Sequence, residues 1–327
     1  MTRVPTEGLA ALVLAAAALV GGVGQRARGG EPLFPAPPAA RLPAAQPPPA
    51  AATASTSPRP LAVQVQAMSQ RASEMAAKGM LYAARDELIQ SLRLAAEAID
   101  AERRTGTHAA ALAGGLNALA EAEDFAPPAG DPAASIDVAL VARSHRTPIL
   151  KETHGLAPVV AQQHYLQFAR EQLTAAVSPE PAASQTLFTL GKVQAALAGP
   201  AAPAQSLHGP RAIVFYQAAL AVDGGNYLAA NELGVLLARY GQWQDARTAL
   251  LHSVTVKPHA EGWHNLAIVH RRLGEMDLSR LAENERQLLA GRPGDKKPAG
   301  GPRIEWLEPA RFAAQAATQE AATRERR

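Results

Sequence analysis

Cysteine is absent from the sequence and aromatic residues are scarce. Without a cysteine among its 327 residues, the chain can form no disulfide, no thiolate metal site and no cysteine nucleophile. Phe, Trp and Tyr together make up 4% of the residues whereas alanine is abundant, and this balance favours closely packed helices over a large β core. The formal net charge is only +3 and the basic residues are spread along the chain, so we expect no nucleic-acid partner.

Familiar catalytic motifs are absent as well. The sequence contains no G-x-S-x-G motif, no phosphate-binding loop of the G-x-x-x-x-G-K-[ST] type and no H-E-x-x-H motif. Gly191-Lys192 lacks the upstream glycines of a phosphate loop and falls within a helical pattern. We therefore expect a protein that is not an enzyme and that needs no cofactor.

Four histidines lie close together in the sequence, at His252, His259, His264 and His270. A metal site on a helix needs ligands that share one face. His264 and His270 are six residues apart, so their side chains point in different directions. We expect no metal site here and assign the histidines to surface or packing roles.

An apolar, uncharged run extends from Leu9 to Val23, and Arg3 precedes it. This pattern is typical of an export signal. The run is shorter than the roughly 20 residues of a usual membrane-spanning helix, although about 17 can suffice. Residues 1–25 are therefore predicted to be a signal peptide or an N-terminal membrane anchor, and the protein to be exported to the periplasm or held in the cell envelope. The alternative is a disordered start on a cytosolic protein.

Proline and alanine dominate residues 26–60, with Pro47-Pro48-Pro49 in the middle. Such a segment cannot form a core and adopts extended, polyproline-like conformations. We predict a disordered linker that spaces the following helices from a membrane.

The C-terminal segment, residues 291–327, is predicted to be a flexible tail. It begins with a Gly-, Pro- and Lys-rich stretch and contains one apolar island, Ile304 to Pro309. Exposed Trp and Leu residues in a tail often dock on a surface. Two interpretations stay open, docking back onto the protein's own helices and binding to a partner.

Helical patterns begin at residue 61. Val65, Met68, Ala72 and Met75 share one helical face, Gly79 supplies a turn, and apolar residues then recur at helical spacing to about Arg103. A further helix is predicted to start near Thr107. Residues 127–155 are predicted to be an irregular insertion, in which the apolar patch at 138–141 is either a helical turn or a short strand.

The clearest pattern is a repeat within residues 227–289. Leu233-Gly234 and Leu266-Ala267 each lie midway through an apolar helical pattern, and a glycine follows seven residues after Gly234 and after Ala267. A second helical pattern follows each of these turns. A repeat of this period is typical of a helical solenoid. Weaker versions of the pattern are predicted for 158–177, 184–198 and 211–222.

This repeat resembles the tetratricopeptide family. The positions that carry the resemblance are Leu233, Gly234, Gly241, Ala246, Leu250, Ser253 and Pro258 in one unit and Trp263, Leu266, Ala267, His270 and Gly274 in the next. The resemblance implies an all-α, tetratricopeptide-like α-solenoid of antiparallel helix pairs, with about 34 residues in each unit. We assign residues 61–126 to N-terminal repeat-like helices and 156–290 to a C-terminal array.

The resemblance also implies a concave groove lined by the first helix of each pair. The residues expected in it are Gln185, Phe188, Lys192, Asn231, Arg239, His264, Asn265 and Arg271. Asn265 matches an asparagine that some members use to hold a peptide carboxylate. The matching residues of the preceding unit are absent, because Asn231 and Val235 stand there.

The sequence thus predicts a non-enzymatic scaffold in the cell envelope that binds a protein or peptide in its groove. The alternative is an architectural or self-associating spacer without a peptide groove. A third hypothesis, an enzyme or metal protein on a helical frame, lacks any supporting motif.

Overall fold

A computed structural model describes residues 60–126, 136–178, 180–198 and 206–290. Within these ranges the chain is all-α, with eleven α-helices, one short 3₁₀ turn and no strand. In chain order the helices are α1 (Pro60–Ala77), α2 (Leu81–Arg103), α3 (Thr107–Glu121), α4 (Val138–Ser144), α5 (Pro158–Val177), α6 (Pro181–Leu197), α7 (His208–Val222), α8 (Tyr227–Arg239), α9 (Trp243–Val256), α10 (Ala260–Arg272) and α11 (Met276–Ala290). The 3₁₀ turn is Ala122–Phe125. The predicted export signal and tail, and all of the predicted linker except Pro60, lie outside the described residues.

Sequence patterns placed several helix boundaries correctly. The second helix ends at Arg103 and the helix predicted from Pro158 runs to Val177. The apolar patch at 138–141 belongs to a helix, α4, because the Asp137 side chain caps its first turn by accepting a hydrogen bond from the backbone N–H of Leu140 at 3.1 Å. None of the described helices is long and apolar enough to cross a membrane.

The helices pack as adjacent pairs: α1 with α2, α3 with α5, α6 with α7, α8 with α9, and α10 with α11. Three of the pairs share the same turn. Gly79, Gly241 and Gly274 have positive φ angles of 79°, 77° and 80°. In each turn the residue after the glycine donates its backbone N–H to the carbonyl five positions earlier, at 3.0, 3.0 and 2.9 Å. This Schellman arrangement ends the first helix and reverses the chain.

Glycine also allows two helix pairs to approach closely. A Cβ atom at Gly234 would lie 2.5 Å from Cγ of Leu250, and one at Gly191 would lie 2.5 Å from Cε1 of Tyr216. Neither distance is compatible with a side chain at the glycine. The absence of a side chain at Gly234 therefore determines how closely α9 can pack on α8, and Gly191 does the same for α7 on α6.

The last three pairs stack in sequence order. Helix α7 packs on α8 in the same way that α9 packs on α10, so each second helix contacts the first helix of the next pair. The first helices α8 and α10 are also joined by a hydrogen bond of 3.1 Å from Asn265 Nδ2 to Asn231 Oδ1. Consecutive pairs are thus related by one repeated contact.

The first pair does not follow this order. Both α1 and α2 pack on α6, which is the first helix of the third pair. The hydroxyls of Ser69 and Thr186 lie 2.8 Å apart in the interior, although 117 residues separate them in sequence. We call the stack formed by α1/α2, α6/α7, α8/α9 and α10/α11 the row.

The second pair, α3 and α5, lies beside the row, and we call it the side pair. Helix α3 packs on α2 and α5 packs on α7, so the side pair covers two second helices. Arg211 of α7 donates from Nε to the carbonyl of Leu119 at 3.2 Å and forms an ion pair of 2.6 Å with Glu123. One continuous apolar core joins the row and the side pair.

Candidate binding surface

The residues predicted to form a groove divide by exposure. Gln185, Lys192, Arg239 and Arg271 are exposed, His264 is partly buried, and Phe188, Asn231 and Asn265 are buried. All of them lie on α6, α8 or α10, the first helices of three consecutive pairs in the row. The surface available to a partner therefore consists chiefly of one glutamine and three cations.

The two asparagines form a buried pair between neighbouring helices. Asn231 is 3% exposed and Asn265 is fully buried. Their hydrogen bond links α8 to α10, as described above. Both side chains are therefore engaged within the protein, and the asparagine that matches a carboxylate-binding position does not reach the surface.

Phe188 and Lys192 are one helical turn apart on α6. The Lys192 ammonium lies 5.8 Å from the centroid of the Phe188 ring, within the range of a cation–π interaction. The ring itself is buried and packs at a centroid distance of 6.1 Å from Tyr216 of α7. Phe188 is therefore part of the packed interior, whereas Lys192 is exposed.

A cleft opens where α6, α7 and α8 meet, and it brings together two of the predicted residues, Lys192 and Arg239. Its volume is about 310 Å³. It is lined by Lys192, Ala195, Ala196, Tyr216, Glu232, Val235, Leu236 and Arg239. The two alanines on α6 have short side chains and leave room above the tyrosine.

The hydroxyl of Tyr216 is buried and has no hydrogen-bond partner among the described residues. The residue is 1% exposed, and its ring packs directly over Gly191. Burial raises the pKa of this phenol well above its usual value, so it is protonated at neutral pH and able to donate. An unsatisfied hydroxyl at the wall of a cleft is a feature that a ligand could complete.

Glu232 is the single acidic residue that lines the cleft. Burial raises the pKa of its carboxyl to about 7. The neighbouring cations Lys192 and Arg239 act in the opposite direction, and Glu261 of α10 adds to the rise. No sequence pattern singles out Glu232 or Tyr216, because Glu232 has the spacing of a solvated helix face and Tyr216 that of a packing residue.

A second polar cluster lies where the residue after α4 and the 3₁₀ turn meet α5, and its members bond to one another. His145 makes hydrogen bonds through Nδ1 to the Tyr165 hydroxyl at 2.8 Å and through Nε2 to Asp124 at 3.1 Å. Phe125 packs edge-on against the His145 ring, with centroids 5.4 Å apart. Burial, with a smaller effect of nearby carboxylates, raises the pKa of Tyr165 to about 12. These contacts attach the end of α4 to α5.

No group of three or more histidine, aspartate or glutamate side chains in the described ranges is placed to hold a metal ion. No protein-family model matches the chain, and a search of the curated proteins finds no match.

Proposed function

We propose that this protein is a non-enzymatic, tetratricopeptide-like scaffold that binds a protein or peptide partner on the surface formed by α6, α8 and α10. The observation that carries the proposal is the recurrence of one unit. Gly241 and Gly274, which are 33 residues apart, form turns of the same type. Consecutive pairs also stack through equivalent helices, α7 on α8 and α9 on α10. A row of this kind exposes one helix face per unit and suits extended partners.

The charge of this surface indicates the kind of partner. Lys192, Arg239 and Arg271 are exposed on α6, α8 and α10, the first helices of three successive pairs. Positive charges in such a row attract an acidic segment and speed its association. We therefore propose a partner polypeptide with acidic side chains. The apolar run at residues 9–23 supports placing this interaction in the cell envelope.

Charge reversal on this surface tests the proposal. The triple variant Lys192→Glu, Arg239→Glu and Arg271→Glu is compared with wild-type protein as bait in pull-downs from membrane and soluble fractions. A matched control reverses Lys78, Arg93 and Arg280, which are exposed on a turn and on the second helices α2 and α11. We expect the control to retain the partners of the wild type and the triple variant to lose them. Partners that survive the triple change would overturn the proposal.

One observation favours the alternative of a self-associating spacer. Helix α11 exposes Leu278, Leu281 and Leu288, which are 46%, 59% and 66% exposed and occupy one side of the helix. An apolar stripe of this kind can join two copies. The alternative predicts a dimer or larger species in light scattering that Leu281→Asp dissociates. It also predicts that partner capture is insensitive to charge reversal on the first helices.

A further inference from the structure

The cleft between α6, α7 and α8 contains, among the described residues, one buried hydroxyl without a hydrogen-bond partner and one carboxylate without an ion pair. The Tyr216 hydroxyl is buried without a hydrogen-bond partner. The Glu232 carboxylate forms no ion pair within the described residues, although Lys192 and Arg239 line the same cleft. Buried polar groups in native proteins are nearly always satisfied, so the unpartnered Tyr216 hydroxyl at this cleft indicates a ligand.

The size and walls of the cleft restrict that ligand. About 310 Å³ is at the lower end of the range for small-molecule pockets and accommodates one side chain. Ala195, Ala196, Val235 and Leu236 supply apolar walls, which suit the methylene groups of a side chain. The ligand is therefore a short apolar stem that ends in a polar group.

The charges in the cleft select the polar group. Three of the polar residues, Tyr216, Lys192 and Arg239, are donors, and two of them are cationic side chains. A cationic ligand at Glu232 would share the cleft with two like charges, Lys192 and Arg239. A carboxylate would instead meet three donors and balance the charge of the two cations.

We propose that this cleft binds one acidic side chain, aspartate or glutamate, of a partner polypeptide. The ligand carboxylate accepts hydrogen bonds from the Tyr216 hydroxyl and the Lys192 and Arg239 side chains. Glu232 takes up one proton from solvent on binding, so that the two carboxyl groups share a single negative charge. This inference rests on the proposed function, since the cleft is part of the same surface.

The proton uptake gives the proposal a distinctive pH dependence. Partial burial raises the pKa of the Glu232 carboxyl to about 7. The groups that act on it are Lys192 from α6, Arg239 on its own helix and Glu261 from α10, and the Tyr216 hydroxyl lies in the same cleft. A ligand carboxylate raises this pKa further, so Glu232 is protonated in the complex. Above pH 7 the affinity should fall by up to about tenfold per pH unit, whereas an ammonium ligand would show the opposite slope.

Nuclear magnetic resonance on the full chain tests the proposal with small probes. The probes are the N-acetyl, N-methylamide derivatives of glutamate, glutamine and lysine. Tyrosine labelled with ¹³C gives few ring signals, because the chain has five tyrosines, and Tyr216 reports on the cleft. We expect the glutamate probe to shift the Tyr216 signal at lower concentration than the other two, and to bind at least fivefold more weakly at pH 8.5 than at pH 6.0. Preference for the lysine probe, binding that strengthens with pH, or an unchanged Tyr216 signal would each overturn the proposal.

Single substitutions test the contribution of each charged side chain in the cleft to binding of the glutamate probe. Lys192→Ala and Arg239→Ala should each weaken the glutamate probe several-fold, and Lys78→Ala, an exposed lysine in the first turn, should not. Glu232→Gln should remove the difference in affinity between pH 6.0 and 8.5, and an unchanged difference would contradict the role of Glu232. If the glutamate probe fails while partner capture still depends on the surface cations, the cleft assignment is wrong and the scaffold function stands. If the probe binds while capture is insensitive to charge reversal, the scaffold function fails.

Discussion

The two ends of the row use the same helix-pair unit but reach it by different routes through the sequence. At the C-terminal end, α6 to α11 form three pairs that stack in the order in which they occur in the chain. At the N-terminal end, the chain leaves the row after α2, forms the side pair and returns at α6. The comparison shows that local sequence determines the helix pair. Which pairs become neighbours depends instead on long-range packing between the surfaces of their helices.

The attachment of the side pair should be the most sensitive point of the N-terminal end. Arg211→Met removes the donor to the Leu119 carbonyl and the ion pair with Glu123. The Arg211 side chain is 13% exposed, so we expect a loss of about 3 kcal/mol in the free energy of unfolding. Urea denaturation measures this loss. The matched control is Arg280→Met, because Arg280 and Asp277 form an ion pair exposed to solvent and should contribute less than about 0.5 kcal/mol. Equal effects of the two changes would contradict the described attachment.

Close helix approach should be the corresponding weak point of the C-terminal end. Gly234→Ala places a Cβ atom against Leu250 and 3.1 Å from the backbone oxygen of Ala246. We expect a loss of about 2 kcal/mol, because α9 must shift away from α8. The next unit carries Ala267 at the equivalent position, so Ala267→Gly should cost only about 1 kcal/mol, the usual effect of glycine within a helix. Thermal and urea unfolding measure both. A neutral Gly234→Ala would mean that the two helices are further apart than described.

The turns should respond alike at both ends. A Cβ atom at Gly79, Gly241 or Gly274 would meet nothing within 4 Å, so replacement by alanine tests backbone conformation alone. We expect each change to cost about 1 kcal/mol, because each glycine has a positive φ angle. Arg104 has a positive φ of 55° without being glycine, so Arg104→Gly should be neutral or stabilising. A cost confined to one of the three turns, measured by urea unfolding, would show that they are not equivalent.

The features that sequence reasoning captured are the local ones. The turn at Gly241 involves hydrogen bonds between residues at most five positions apart, and the spacing of Gly234 and Gly241 is visible in the sequence. The all-α fold in packed pairs and many helix ends followed from such patterns. Helix α3 begins at Thr107, as the pattern predicts. The group that caps its first turn is not adjacent to it: the Asp100 carboxylate accepts hydrogen bonds from the backbone N–H groups of His108 and Ala109 at 3.1 and 2.8 Å.

The features that sequence reasoning missed depend on distant contacts. Nothing in the pattern around Ser69 indicates that its hydroxyl meets Thr186. The burial of Asn231 and Asn265 likewise follows from the stacking of two units, since each residue alone has the spacing of an exposed groove position. Glu232 could not be identified for the same reason, because its altered pKa arises from burial between neighbouring helices and not from adjacent residues.

The most direct measurement asks whether α1 lies beside α6, which is what makes the row continuous. The chain has no cysteine, so a pair can be introduced without competing thiols. In Ser69→Cys/Thr186→Cys the two sulfurs replace hydroxyls that are 2.8 Å apart, a separation compatible with a disulfide. The control is Ser69→Cys/Thr189→Cys. Thr189 lies on the same helix as Thr186, but its hydroxyl bonds to the Gln185 carbonyl of that helix and not to Ser69. We expect mild oxidation to close the disulfide, seen as faster migration on a non-reducing gel, in the first variant only. A first variant that folds with native helical content and stays reduced, or a control that oxidises equally well, would contradict the continuous row.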